Sequence, residues 1–364
     1  MWVVVYHIDM SQGPLHGRLG RIVEHGAYGV DIFFVLSGMV LSLVYAGNLP
    51  ERFQWSWYRR FLSRRFAKIY PLHVITFCVS VALVLAARHF HYNVTTGADN
   101  TRWAALCSLL LVHSFGLTRR LSWNGPSWSV SAEWFAYSIL FAPMVFLLRR
   151  VRVVYVAGMT FVLIAAAMLW RSYAATPWTE LTTNGAVRIA PEFLGGYLVY
   201  RLVYRGSSRG RDLWTLSGIL LLLLTCCLRV ELPWLLIASV MMLLAGLYRG
   251  GGVADWIFGS RLGILLGDAS YSIYMIQSFV IIAANQLLRR VHVPEHTPLL
   301  LAIAGLETAA VALAGVITFR CIEEPIRQAL LRFLLGPAPP NPEALTPPAL
   351  PGFERDTQVS STIS

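Results

Sequence analysis

Apolar runs recur from one end of this chain to the other, and they decide what it can fold into. They fall at 26–45, 70–87, 128–148, 153–170, 188–204, 213–228, 233–248, 263–288 and 299–319. A partial run opens the chain at 1–8, and a short one lies at 103–117. Several approach the roughly 20 apolar residues that span a bilayer. Charged residues make up 13% of the chain and mean hydropathy is +0.57, against about 25% charged in a soluble domain. The chain reads as an all-α, polytopic transmembrane helix bundle. In lipid a helix satisfies its backbone polar groups within itself.

Charge then sets the topology. The net charge of +11 does not indicate nucleic acid, because the arginines lie mostly between apolar runs, where the positive-inside rule places them. Anionic lipid or an anionic cofactor suits them equally. If 103–117 does not cross, one side of the membrane collects 18 basic residues, including Arg52, Arg59, Arg60, Arg64, Arg65, Lys68, Arg149 and Arg201, and the other collects 11. Letting it cross would separate the Arg52–Lys68 cluster from the other basic loops. The expectation is ten spans, both termini cytoplasmic, in the cell's inner (plasma) membrane. The segment 103–117 would then be a re-entrant or non-spanning helix. Residues 1–335 form one integral membrane domain, and 336–364 read as a Pro-rich, disordered cytoplasmic tail.

Two features of the first residues stand out. No cleavable signal peptide is expected, because MWVVVYH lacks a basic start and a small-residue cleavage site. Six residues before His7 are also too few for a span. The five cysteines have no metal-ligand or redox spacing and read as small buried hydrophobes.

Four places put charge or polarity at membrane depth. Asp31 sits inside GVDIFFVLSG, and an unpaired carboxylate there costs a few kcal/mol. It needs a partner unless it lies at the outer helix start, and His7 is the candidate. Glu133, in WNGPSWSVSAEWFAY, lies where a turn becomes an apolar helix. It either faces a cavity or is solvated among headgroups. Arg188 and Glu192 are four apart, a spacing that suits an intrahelical pair lining a cavity. Ser270 and Tyr274, in LGDASYSIYMIQ, can line a polar cavity. Ahead of the 70–87 run, Arg64, Arg65 and Lys68 offer cations to lipid or to a phosphate-bearing ligand. His7 alone reads as an interfacial histidine; His73 and His113 carry no assigned role.

These stretches resemble the membrane acyltransferase 3 family. Asn124–Tyr137 matches its N-x-P-x-W-S-x-S-x-E-x-x-x-Y signature, and GVDIFFVLSG its second-helix signature almost letter for letter. Arg65-x-x-Lys68 stands where the family has R-x-x-R before Ile-x-Pro. Gln277 replaces the histidine that ends L-G-x-x-S-Y-x-x-Y-x-x-H, and Glu323-Glu324-Pro325 resembles the closing E-x-P, read here mainly as a proline helix stop. The family also carries an arginine eleven residues before its first-helix histidine, about 16 Å away along a helix. This chain begins too late to show it.

The resemblance implies an O-acyltransferase that uses no metal. A cytoplasmic acyl-CoA, most commonly acetyl-CoA, would dock on Arg64, Arg65 and Lys68. His7 would be the general base, oriented by Asp31. Glu133 would position a sugar-containing acceptor or complete a proton relay. A flippase for a lipid-linked glycan, or an inactive relative acting as a scaffold, are the alternatives. The flippase would more often show inverted repeats, and Gln277 lends the inactive relative weight.

Overall fold

The computed structural model describes residues 1–12, 20–91, 100–121, 123–175, 177–178, 182–203, 211–228, 231–248, 259–291 and 298–336. The expected tail beyond Gly336 lies outside the described residues, as do Arg18, Arg205, Arg209, Arg229 and Arg249 of the charge pattern. The described residues are helical, with no strand among them.

In order, the helices are α1 Trp2–Gln12, α2 Gly20–Glu24, α3 Tyr28–Tyr45, α4 Trp55–His89 and α5 Arg102–Leu109. Next come α6 Ser127–Phe135 and α7 Phe141–Leu148, joined by one wide turn, then α8 Val153–Ala174, α9 Gly185–Val203, α10 Arg211–Cys227 and α11 Pro233–Leu247. The chain closes with α12 Arg261–Asp268, α13 Ser270–Val291, α14 Pro298–Thr318 and α15 Glu324–Leu335.

Among the described residues, six stretches are long and apolar enough to cross a membrane: 20–45, 55–89, 127–148, 153–174, 270–288 and 299–335. Residues 212–227 and 233–247 form shorter apolar helices. The structure thus gives six candidate spans, not a confirmed ten. The 103–117 region holds one eight-residue helix, about 12 Å long. Irregular backbone follows, with Leu111 and Gly116 at positive φ. It is held by Ser131, whose Oγ accepts from Ser114 N at 3.0 Å and donates to Leu111 O at 2.8 Å.

α9 is the central helix, buried on nearly every side. α3 lies against it at a crossing only glycine permits. A Cβ on Gly38 would fall 2.1 Å from Phe193 O, and one on Gly196 would fall 2.0 Å from Val35 O. Lipid gives no hydrophobic drive to helix pairing, so such backbone approach carries the packing. Trp57, Phe61 and Phe141 stack α4 on α7, with Phe61 and Phe141 centroids 4.7 Å apart. Outward, Phe161, Leu169 and Tyr173 of α8 and Leu216 and Leu220 of α10 are exposed, an apolar girdle that only lipid covers well. Cys78, Cys227 and Cys321 also lie exposed, so only Cys107 and Cys226 are buried as the sequence led us to expect.

Basic residues lie at both ends of the bundle. Arg149 donates to Pro50 O, and Arg201 donates to Leu148 O and Val151 O, at the end of the bundle where α4 begins. Arg21 reaches Cys227 O and Arg171 reaches Glu231 at the other end.

Candidate active site

The organising charge of the interior is Arg188. It is wholly buried, and so is Asp31. The guanidinium grips that carboxylate with both arms, Nη2 to Oδ2 at 2.6 Å and Nε to Oδ1 at 3.1 Å. Trp178 Nε1 adds a third bond to Oδ1 at 2.8 Å. The rings of Trp128 and Trp178 lie 5.1 and 6.0 Å from the guanidinium carbon. Charges this deep persist only when paired and hydrogen-bonded. Glu192, one turn on from Arg188, lies against the Asp31 carboxyl. Its oxygens are buried, within hydrogen-bonding reach of Asp31 and Trp178.

This corrects two expectations. Asp31 does pair, but with Arg188 and not His7. Arg188 gives its fork to Asp31 and not to Glu192. The helix register explains the first. α1 crosses α3 with Tyr6 and Trp2 against Gly26 and Val3 against Gly29, which leaves His7 near the start of α3 while Asp31 lies deeper. Instead His7 Nδ1 meets its own helix carbonyl, Val3 O, at 2.8 Å. A carbonyl only accepts, so Nδ1 of the neutral ring carries the proton and Nε2 keeps its lone pair. Gln277 stands beside that ring.

A chamber of about 520 Å³ opens between α1, α3, α6, α12 and α13. Its walls are largely apolar, through Val3, Val30, Phe33, Val130, Leu266 and Ile273, with Glu133, Ser129, Ser270, Tyr271 and Tyr274 as the polar points. Of the sequence-selected residues, Glu133, Ser270 and Tyr274 are on this wall. His7, Asp31, Arg188 and Glu192 are not, although the Arg188 charge reaches Tyr274. Glu133 is 4% exposed. Its Oε1 accepts from Ser37 Oγ at 3.1 Å and from the Tyr137 hydroxyl.

The α4 cations lie behind Glu133. Arg65 sits over the Tyr45 and Tyr137 rings, and Nη2 donates to Tyr45 Oη at 3.2 Å. Lys68 is ion-paired to buried Glu323 at 2.5 Å. Arg64 is half-buried and unpaired among the described residues. So Glu323 is more than a helix stop. Neither that role nor the part played by Trp178 is read from the sequence. A carboxylate directly after an apolar run was the available signal for Glu323; Trp178, in a short turn, gave none.

The rest of the signature holds the site up. Asn124 Nδ2 donates to Thr76 Oγ1 at 2.9 Å, and Ser127 Oγ lies 3.1 Å from His113 Nε2. Burial pushes the His113 imidazole down to about 3. It is therefore neutral at any ordinary pH, which fits a structural group with no part in proton transfer.

A bundle of apolar helices with paired charges in its interior, beside a chamber carrying a carboxylate, is the architecture of a polytopic membrane protein. Residues 1–319 match the acyltransferase domain family, and the chain belongs to that family, acyltransferase 3. It is similar to the acyltransferase MdmB of Streptomyces mycarofaciens, 27% identical over 314 residues that cover 79% of this chain and 77% of the relative. No solved structure matches it. The protein is an acyltransferase of the membrane.

Proposed function

We propose that the protein transfers an acyl group, acetyl foremost, from cytoplasmic acyl-CoA to a hydroxyl of a sugar-containing acceptor, with the reacting carbonyl in the chamber beside Glu133. The observation that carries this reading is that carboxylate. Glu133 is the one acidic side chain on the wall among the described residues, and it is fixed in place by Ser37 and Tyr137. An acceptor hydroxyl hydrogen-bonded to it gives up its proton as oxygen attacks the thioester carbon. The C–S bond then breaks, and the proton leaves with the coenzyme A thiolate as thiol. Apolar walls exclude water, which would otherwise hydrolyse the thioester. A polytopic arrangement of ten spans in the inner membrane, with both termini and the basic loops cytoplasmic, would bring the donor to the α4 end.

His7 is a second candidate for the proton acceptor. Its Nδ1 is locked to Val3 O, which leaves the lone pair on Nε2 with Gln277 beside the ring, and Val3 itself lines the chamber. One experiment separates the two. The purified protein in lipid nanodiscs is supplied with labelled acetyl-CoA and a glycoside acceptor. Loss of the base should lower kcat by about 10²–10⁴-fold. If Glu133→Gln shows that loss and His7→Ala does not, Glu133 is the base; the reverse result assigns it to His7. Normal transfer by both variants would end the proposal.

A further inference from the structure

The cations of helix α4 differ in what they touch. Arg65 and Lys68, three residues apart, both engage groups of the interior. Arg65 is boxed between the rings of Tyr45 and Tyr137 at 5.5 and 5.9 Å. Its charge reaches Glu133, to which the Tyr137 hydroxyl donates. Lys68 meets Glu323, which is 2% exposed. The second oxygen of Glu323 accepts from Ser272 Oγ at 2.6 Å. The Lys68 ammonium also lies 5.9 Å from the ring of Tyr271, a chamber residue whose hydroxyl donates to Ile69 O. Arg60, Arg64 and Lys68 follow one another at intervals of four and so lie along one strip of the helix; what sets Arg60 and Arg64 apart is their contacts. Arg60 is exposed and Arg64 half-buried, and neither has a polar partner among the described residues.

We infer that Arg65 and Lys68 are internal counter-ions, for Glu133 and Glu323 respectively, and that Arg60 and Arg64 form the site that grips the phosphates of the donor. This rests on the acyl-CoA reading above. A phosphate that took Lys68 would leave Glu323 buried and unpaired, which is strongly unfavourable. Arg65 has spent one arm on Tyr45 and lies between two tyrosine rings. Arg60 and Arg64 present two open planar forks, the geometry that binds phosphate bidentately. Arg65 is thus a positioning residue that acts through Glu133. Glu323 positions Lys68 against the chamber wall.

The test compares acetyl-CoA with acetyl-pantetheine, a thioester without phosphates, on the full chain in nanodiscs. For R60A/R64A, the ratio of kcat/KM for acetyl-CoA to that for acetyl-pantetheine should fall about tenfold or more, the value of one strong charge-assisted contact. For Arg65→Gln that ratio should hold while kcat falls with both donors. The exchange of Lys68→Glu with Glu323→Lys should restore a melting temperature that either single change lowers. A donor ratio that falls in Arg65→Gln, or holds in R60A/R64A, would overturn the phosphate assignment. So would an R60A/R64A defect that disappears when anionic lipid is left out, since the ligand would then be a headgroup. If the wild type does not use acetyl-CoA at all, the donor reading falls and takes the phosphate site with it. The charge exchange still decides the counter-ion role, and failure to restore stability would refute it.

Discussion

The Arg188 cluster makes a graded prediction. Asp31 accepts two bonds from the guanidinium and one from Trp178, and all of this is buried. Asp31→Asn keeps the shape but removes the charge, weakening contacts that are worth about 1.5–3 kcal/mol each when charged. Glu192 is a second carboxyl within reach of the same cation, and it can take over as counter-ion. The single variant should therefore lose about 1.5–3 kcal/mol, less than the full cost of a stranded charge. Glu192→Gln leaves the Asp31–Arg188 pair intact and keeps a neutral hydrogen-bonding group of the same shape, so it should cost under about 1 kcal/mol. The double variant leaves Arg188 with no carboxylate and should lose about 3–5 kcal/mol, the penalty for breaking a buried pair. Two carboxylates backing one cation should thus be non-additive. Urea unfolding in mixed micelles, followed by tryptophan fluorescence, measures all three. The reasoning is refuted if Asp31→Asn costs as much as the double variant, because Glu192 then offers Arg188 nothing.

Other consequences follow from the packing and the signature residues. Gly38→Ala places a methyl against Phe193 O, and Gly196→Ala places one against Val35 O. Each should cost about 1–3 kcal/mol or more, typical of overpacking, seen as a lowered melting temperature in detergent. Ser131→Ala removes the acceptor for a buried backbone N–H at Ser114 and should cost about 1–3 kcal/mol; faster protease cleavage within 103–117 would report it. Tyr137→Phe removes one of the two donors to Glu133 Oε1 and should lower kcat more than it changes donor KM in the labelled-acetyl assay. An unchanged kcat would remove Tyr137 from the site.

The helical membrane class is legible in the apolar runs, because a bilayer asks for length and hydropathy and little else. The span count is less so. The 103–117 region and the 212–227 and 233–247 helices are short enough that neighbours, not composition, decide how they sit. For Asp31, the sequence states the need for a partner but not which one. Arg188 lies 157 positions away, and only the α3–α9 crossing at Gly38 and Gly196 brings the two together. His7 fits as a partner by residue type, yet the α1–α3 register carries it past Asp31. The i,i+4 spacing of Arg188 and Glu192 correctly puts both on one helix face, but the stronger fork geometry to Asp31 wins the guanidinium. Glu323 shows a similar limit. A proline after it explains the local backbone, and nothing local reveals that Lys68 waits 255 positions back.

The central claim is that the acyl carbon reacts in the chamber walled by Glu133, Ser270 and Tyr274. A cryo-EM structure of the protein with a thioether analogue of acetyl-CoA tests it most directly. The account predicts the acyl end inside that chamber, within hydrogen-bond reach of Glu133 or Tyr274, and the phosphates at the basic end of α4. An acyl end bound elsewhere, with the chamber filled by lipid, would contradict it.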